Sequence, residues 1–245
     1  MQQSEEATTG GSPPFTKTWE AGIAQEIQQR IINESRKDKT KPFLVGIVGI
    51  PGSGKSTSSS ILSEVLSDNG TTNIVMPMDG YHYPLSTLHA TSCCSYAVDN
   101  AEDMIYRRGA PDTFDSKTLK IDLKRIKSGE EADIYIPGFD HAKGDPELDV
   151  YKFARAAHSV VICEGLYLLH QSDGWDGIDD SFDLTVFIDA NVDVCVDRLK
   201  VRNLCIPGYT PKEIEVRCDA VDRVNAMTVL KSRERADFVV DSVAL

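Results

Sequence analysis

Trp19, Ile23, Ile27 and Ile31 recur every four residues, with Gln, Glu and Arg between them. That spacing predicts an amphipathic helix packed on the body of the protein, ended by the charged run from Ser35 to Lys41. FLVGIVG (43–49) is continuously apolar and of strand length, the pattern of a strand buried on both faces. SGKSTSSSILSEVL (53–66) predicts a helix that Asn69-Gly70 stops. NIVMPMD (73–79) predicts a second strand, weakened at its far end by Pro77. Residues 80–115 show little periodicity and read as a long functional loop. SKTLKIDLKRIKSG (116–129) predicts a helix with Ser116 as N-cap and Gly129 as stop. Pro137-Gly138, Lys143-Gly144 and Asp145-Pro146 make 133–150 a turn-rich stretch. SVVICEG (159–165) and DLTVFIDA (183–190) are two more buried strands, and 191–204 is a helix. Thr210-Pro211-Lys212-Glu213 is a capping box with proline at the first helical position, opening a helix to about Leu230. FVVDSVAL gives a last strand, and no internal repeat is visible.

Buried strands that alternate with helices build βαβ units, so the expected class is α/β, a parallel sheet with helices on both faces. Such sheets put their chemistry in the crevice beyond the carboxyl ends of the strands. Asp79 and Glu164 both stand at such ends. Residues 1–16, acidic early and rich in Gly, Ser and Pro, read as a flexible tail, and 17–245 as one domain.

The 245 residues are ordinary globular material, 41% hydrophobic and 26% charged. The net charge of −12 argues against nucleic-acid and anionic-membrane partners, which call for basic faces. It also means that phosphate handling would require cations concentrated locally. None of the six cysteines forms a C-x-x-C pair, which argues against a zinc site. Cys163 reads as a small core residue, and the pattern suits a reducing, cytoplasmic setting. No run reaches the length of a membrane span.

GIPGSGKS (49–56) fits G-x-x-x-x-G-K-[ST] in full, between a buried strand and a helix. Glycines let successive N–H groups converge on phosphate oxygens, and the helix N-terminus adds positive potential. The nucleotide cradle is therefore assigned to Gly49, Ile50, Pro51, Gly52, Ser53, Gly54, Lys55, Ser56 and Thr57. Lys55 is expected to reach the β- and γ-phosphates of ATP, and Ser56 to ligate Mg²⁺. Glu164, ending an apolar strand, is the second expected Mg²⁺ ligand.

VMPMDGYHYP (75–84) sets an acid at the mouth of an apolar strand. A turn explains Asp79-Gly80, but not Tyr81, His82 and Tyr83 beside it. Three readings of Asp79 stand: general base for an acceptor hydroxyl, Mg²⁺ ligand, or turn acid. His82 is either an acceptor-pocket residue or a packed histidine. Arg107 and Arg108 either bind a substrate anion or cover the loop. Arg198 and Arg202 lie four apart on one helix face, ahead of Asn203 to Tyr209. They suit a cationic lid over the phosphates, at about 198–212.

Several of these strings together resemble the small-molecule P-loop kinases related to uridine kinase, phosphoribulokinase and pantothenate kinase, over roughly 43–240. MDGYH (78–82) resembles that family's M-D-x-F/Y-[HY], whose acid activates the acceptor hydroxyl, which implies that role for Asp79. PDTFD (111–115) resembles P-D-[AS]-F-D and implies hydroxyl binding by Asp112. PGFD (137–140) resembles the pocket segment P-x-Y-D and implies Asp140. EGLYLL (164–169) resembles the E-G-x-x-x-[LF] strand end and implies a metal-associated Glu164. Arg198 and Arg202 resemble the lid arginines. Tyr81, His82, Arg108, Asp112, Asp140, His141 and Tyr167 make up the implied acceptor site, and Asp79, Lys55, Arg198 and Arg202 the catalytic set. RRGAPDTFD with EGLYLL is most similar to a uridine kinase-like branch that includes bacterial kinases associated with fructose transport and fungal relatives. In uridine kinases a histidine and an arginine that grip the base follow the Y-D pair by a few residues. Here His141 comes too early, and the later positions hold Gly144 and Asp145. The resemblance thus implies an ATP-dependent kinase with a lid and an acceptor-binding insertion, acting on a sugar, sugar acid or nucleoside. A nucleotide-dependent switch that hydrolyses ATP slowly, with no small-molecule acceptor, is the competing reading.

Overall fold

The computed structural model describes residues 22, 24–35, 41–89, 101–140, 143–172, 174–206 and 208–242. The expected tail, Trp19, Ile23, Cys93, Cys94 and His141 lie outside the described residues.

Five strands form one parallel sheet: Phe43–Gly49 (β1), Asn73–Pro77 (β2), Val160–Gly165 (β5), Leu184–Asp189 (β6) and Phe238–Asp241 (β7). Their spatial order is β2-β5-β1-β6-β7. All seven residues of β1 are buried, because helices cover both faces. Val45, Ile47, Ile162 and Val186 face Ile27 and Ile31 of helix Ala24–Ser35 (α1) and Leu62 and Leu66 of helix Lys55–Asp68 (α2). Leu44, Val48, Val161 and Phe187 face the other way, toward Leu119, Leu123 and Ile126 of helix Ser116–Ser128 (α5) and toward Trp175. Period-2 alternation thus feeds two cores from one sheet. The capping box of helix Pro211–Arg217 (α7) forms as the sequence predicts, with Thr210 accepting from the Glu213 N–H.

Three local expectations are corrected. Asp115, not Ser116, caps α5, its carboxylate accepting from the Thr118 N–H. The stretch expected to be turns is an antiparallel hairpin, Asp133–Asp140 (β3) with Asp145–Ala154 (β4). Pro137-Gly138 does not turn the chain; it is accommodated as a register irregularity between Ile136 and Gly138. The loop expected over 80–115 carries two short helices, Leu85–His89 (α3) and Ala101–Tyr106 (α4). Among the described residues no helix is long and apolar enough to cross a membrane.

Candidate active site

The loop after β1 turns at Gly52, whose φ of 80° suits glycine. A Cβ there would stand 2.8 Å from the Cys195 carbonyl oxygen, so helix Val192–Arg202 (α6) is seated directly on the loop. Ser53 N–H closes the turn on the Ile50 carbonyl at 3.1 Å. Gly54, also left-handed, is the N-cap of α2, with Lys55 and Ser56 in the first turn. The cradle residues therefore lie as one strand–loop–helix unit, with the positive end of α2 facing outward from the sheet.

β5 lies directly beside β1 and delivers Glu164, in register with Ile47 on one side and Pro77 of β2 on the other. Ser56 Oγ donates to Glu164 Oε1 at 3.1 Å. Glu164 is buried, and its Oε2 has no hydrogen-bond partner among the described residues. Burial pushes the Glu164 carboxyl above the usual range; Asp79 adds to the rise, while Lys55 and the Ser56 hydrogen bond oppose it. Lys55, Ser56, Asp79 and Glu164 thus form one electrostatic cluster. Asp79 stands two residues past Pro77, in a 3-10 turn, Met78–Tyr81. It follows β2, which β5 separates from β1.

Asp79 is held by its backbone. His82 Nδ1 lies 2.9 Å from the Asp79 carbonyl, and since a carbonyl only accepts, Nδ1 carries the proton. The imidazole packs against Phe114 at 3.9 Å and Phe139 at 4.9 Å between ring centroids. Gly80 is required by contact: a Cβ there would collide with the Pro137 carbonyl of β3. The hairpin is therefore docked on the Asp79 turn.

Two assigned pocket residues are corrected. Tyr81 is 2% exposed and donates its hydroxyl to Asp122 Oδ2 at 3.0 Å, inside the core. Tyr167 is fully buried and donates to the Gly109 carbonyl at 2.7 Å. Both brace the site from behind. Asp122 carried a signal: it lies on the apolar face of α5 with Leu119, Leu123 and Ile126, and a carboxylate there demands a partner.

His82, Arg108, Asp112 and Asp140 keep partial access. Asp112 forms a two-pronged pair with Arg107, at 3.1 and 3.0 Å. Arg108 spans three partners, the carbonyls of Tyr83 and Gly144 and the Asp145 carboxylate. It is a clasp between the hairpin tip and the segment after Asp79, with Asp145 unforeseen as its partner. Asp140 accepts from the Lys143 N–H and pairs with its ammonium at 3.0 Å, which folds the hairpin turn. Arg198 reaches the Gly52 carbonyl at 3.4 Å, and Arg202 follows one turn later on the same helix.

The model of the phosphoribulokinase/uridine kinase family matches residues 44–244. The chain belongs to that family. A uridine kinase-like protein of Schizosaccharomyces pombe is 32% identical over 206 residues, 82% of this chain and 84% of the relative. Pantothenate kinase of Streptococcus pneumoniae is 32% identical over 162 residues, and there the chain spans about half the relative's length, 48%. A solved structure described as a fructose transport system kinase, from Silicibacter, superposes with a TM-score of 0.75 at 26% identity, covering 88% of this chain and 98% of that one. The fold alone is shared with phosphoribulokinase from Rhodobacter spheroides, TM-score 0.60 at 14% identity, covering 82% of this chain and 70% of that one. This family member is an ATP-dependent small-molecule kinase with the P-loop fold.

Proposed function

We propose that the kinase transfers the γ-phosphate of ATP, with Mg²⁺ as cofactor, to a hydroxyl of a sugar, sugar acid or nucleoside, and that Asp79 is the base. The observation that carries this is the joint position of Asp79 and Glu164, at the ends of adjacent strands and electrostatically linked to Lys55.

The residues present fit Mg²⁺. Glu164 Oε2 is a buried carboxylate oxygen without a hydrogen-bond partner among the described residues, and Ser56 Oγ lies beside its twin. Hard oxygen donors of this kind suit Mg²⁺, the remaining positions going to phosphate and water. When bound, the ion neutralises charge on the phosphate oxygens. The loop N–H groups orient the phosphates, and Lys55 supplies a point charge to them. Asp79 accepts the proton of the attacking hydroxyl or orients it for in-line attack, which typically contributes ~10²–10⁴-fold. Arg198 and Arg202 add preorganised positive charge where the transferring phosphoryl spreads its negative charge.

The acceptor side has its own charge pattern. Arg107 is paired with Asp112, Arg108 with Asp145, and Lys143 with Asp140. An anionic acceptor would compete with those acids, whereas hydroxyls can hydrogen-bond to the spare lone pairs of Asp112. This favours an uncharged polyhydroxy acceptor over a sugar acid. Asp145 serves Arg108 and the Leu85 N–H, so it does not supply a base-gripping side chain, and a sugar stands level with a nucleoside. The cysteine usage supports a reducing, cytoplasmic setting.

ADP release measured over a panel of neutral sugars, sugar acids and nucleosides tests the proposal. Release above the no-acceptor background is expected with at least one neutral polyhydroxy compound. Release that no hydroxyl compound raises above background would contradict it.

A further inference from the structure

Ser53 stands in the nucleotide cradle and Ser242 just past β7, 189 residues on, yet Ser242 Oγ donates to the Ser53 carbonyl at 2.8 Å. The sheet explains the meeting. Gly49, at the end of β1, is in register with Ile188 of β6, and β7 is the next strand out, with Asp241 in register with Asp189. Ser242 is itself fixed there, its N–H donating to the Asp189 carbonyl at 2.7 Å. Its hydroxyl is therefore presented from the edge of the sheet. The preceding loop carbonyl, that of Gly52, accepts from Arg198 Nη1 at 3.4 Å. Two successive loop carbonyls are thus held from outside the loop, by α6 and by the residue after β7.

The hold on Ser53 matters because of the peptide it belongs to. A trans peptide is planar, so the Ser53 carbonyl and the Gly54 N–H point in opposite directions. Gly54 is the N-cap of α2, and its N–H is among the amides at the helix start that have no intrahelical partner. Such amides are the donors that a phosphate takes up. Gly54 has a φ of 86° and, being glycine, adopts the opposite sign as readily. The Ser53–Gly54 peptide is therefore a joint that can turn over unless something holds it. Ser53 is fully buried, so its carbonyl has no water to replace the Ser242 hydroxyl. Turning the peptide over would bring that carbonyl into the open cradle and swing the Gly54 N–H out of it.

We infer that Ser242 is a positioning residue for nucleotide binding: by holding the Ser53 carbonyl it keeps the Gly54 N–H turned toward the phosphates. This rests on the assignment of 49–57 as the phosphate cradle. Ser242 acts through the peptide and need not touch the nucleotide. Its effect is carried by the phosphates and is blind to the base.

Calorimetric titration of Ser242→Ala with ADP and with inorganic tripolyphosphate, both with Mg²⁺, tests this. Both affinities should fall by the same factor, about 5-fold or more, because a hydrogen bond to a charged group is lost. Ser242→Thr, which keeps the hydroxyl, should restore both. In the ligand-free chain the Gly54 amide resonance should be displaced in Ser242→Ala and return toward its wild-type position in Ser242→Thr. Affinities of Ser242→Ala within about 2-fold of wild type for both ligands overturn the inference. Weakened ADP binding with unchanged tripolyphosphate binding also overturns it, by placing Ser242 beside the base, and so does an unmoved Gly54 resonance. A wild-type chain that binds neither polyphosphate would refute the cradle assignment instead, and the ligand-free Gly54 resonance would still decide whether Ser242 holds the peptide.

Discussion

Ser56 Oγ and Glu164 Oε1 are hydrogen-bonded at 3.1 Å, although 108 residues separate them in the chain. The bond joins the first turn of α2 to the carboxyl end of β5, so the nucleotide loop and the buried acid move as one piece. It satisfies only half of the carboxylate.

That half-satisfied acid has a stability consequence. Burial raises the folded-state pKa of Glu164 above its unfolded value. Stability from this group is present below the unfolded carboxylate pKa and is lost as pH rises through the raised folded value. Glu164→Gln, uncharged throughout, should therefore melt higher than wild type near neutral pH without ligand, the gap narrowing toward about pH 4. Each kcal/mol gained is worth about 2–4 °C in a chain of this size. Turnover should fall at the same time. A ligand-free melting temperature of Glu164→Gln at or below wild type at neutral pH would contradict the assignment.

Lys55→Ala should abolish phosphoryl transfer and leave the ligand-free fold intact, because the ammonium is assigned to ligand and not to core. Thermal unfolding without nucleotide checks this. A melting temperature well below wild type would show Lys55 to be structural.

The sequence made some of this legible and hid the rest for physical reasons. β1 is apolar throughout, and β5 is apolar up to Glu164, because both faces are covered, and the glycine pattern of 49–56 has few other uses at a strand–helix junction. Strand order is not written in any one segment, so the interposition of β5 between β1 and β2 came only with the structure. The hairpin was hidden because Pro137-Gly138 reads locally as a turn, although Ile134 and Ile136 already alternated with exposed neighbours. Tyr81 sits among pocket-like residues, and a 3-10 turn, not its neighbours in sequence, decides that it points into the core.

Tyr81→Phe separates bracing from binding. It removes one buried hydrogen bond to Asp122, which keeps its bond to Arg125 at 2.7 Å. The expected cost is about 1 kcal/mol of stability, with acceptor KM and kcat within about 2-fold of wild type. A large rise in acceptor KM at unchanged melting temperature would return Tyr81 to the pocket.

Arg202→Ala should lower turnover more than ATP affinity, because its assigned role is made as charge spreads in the transition state. Steady-state kinetics beside nucleotide titration distinguishes the two. Normal turnover with much weaker ATP binding would make it a ground-state contact. Arg198, one turn earlier on α6, is assigned the same role, so the double variant need not show the sum.

The role of Asp79 is tested most directly by Asp79→Asn, with binding and turnover followed across a Mg²⁺ titration. Asn keeps the size and can still hydrogen-bond an acceptor hydroxyl, but it cannot take its proton. ATP and acceptor affinities near wild type, with turnover down ~10²-fold or more at every Mg²⁺ concentration, are the expected result. Weakened nucleotide binding with recovery at high Mg²⁺ would make Asp79 a metal ligand, and near-wild-type turnover at ordinary Mg²⁺ would contradict the general-base assignment outright.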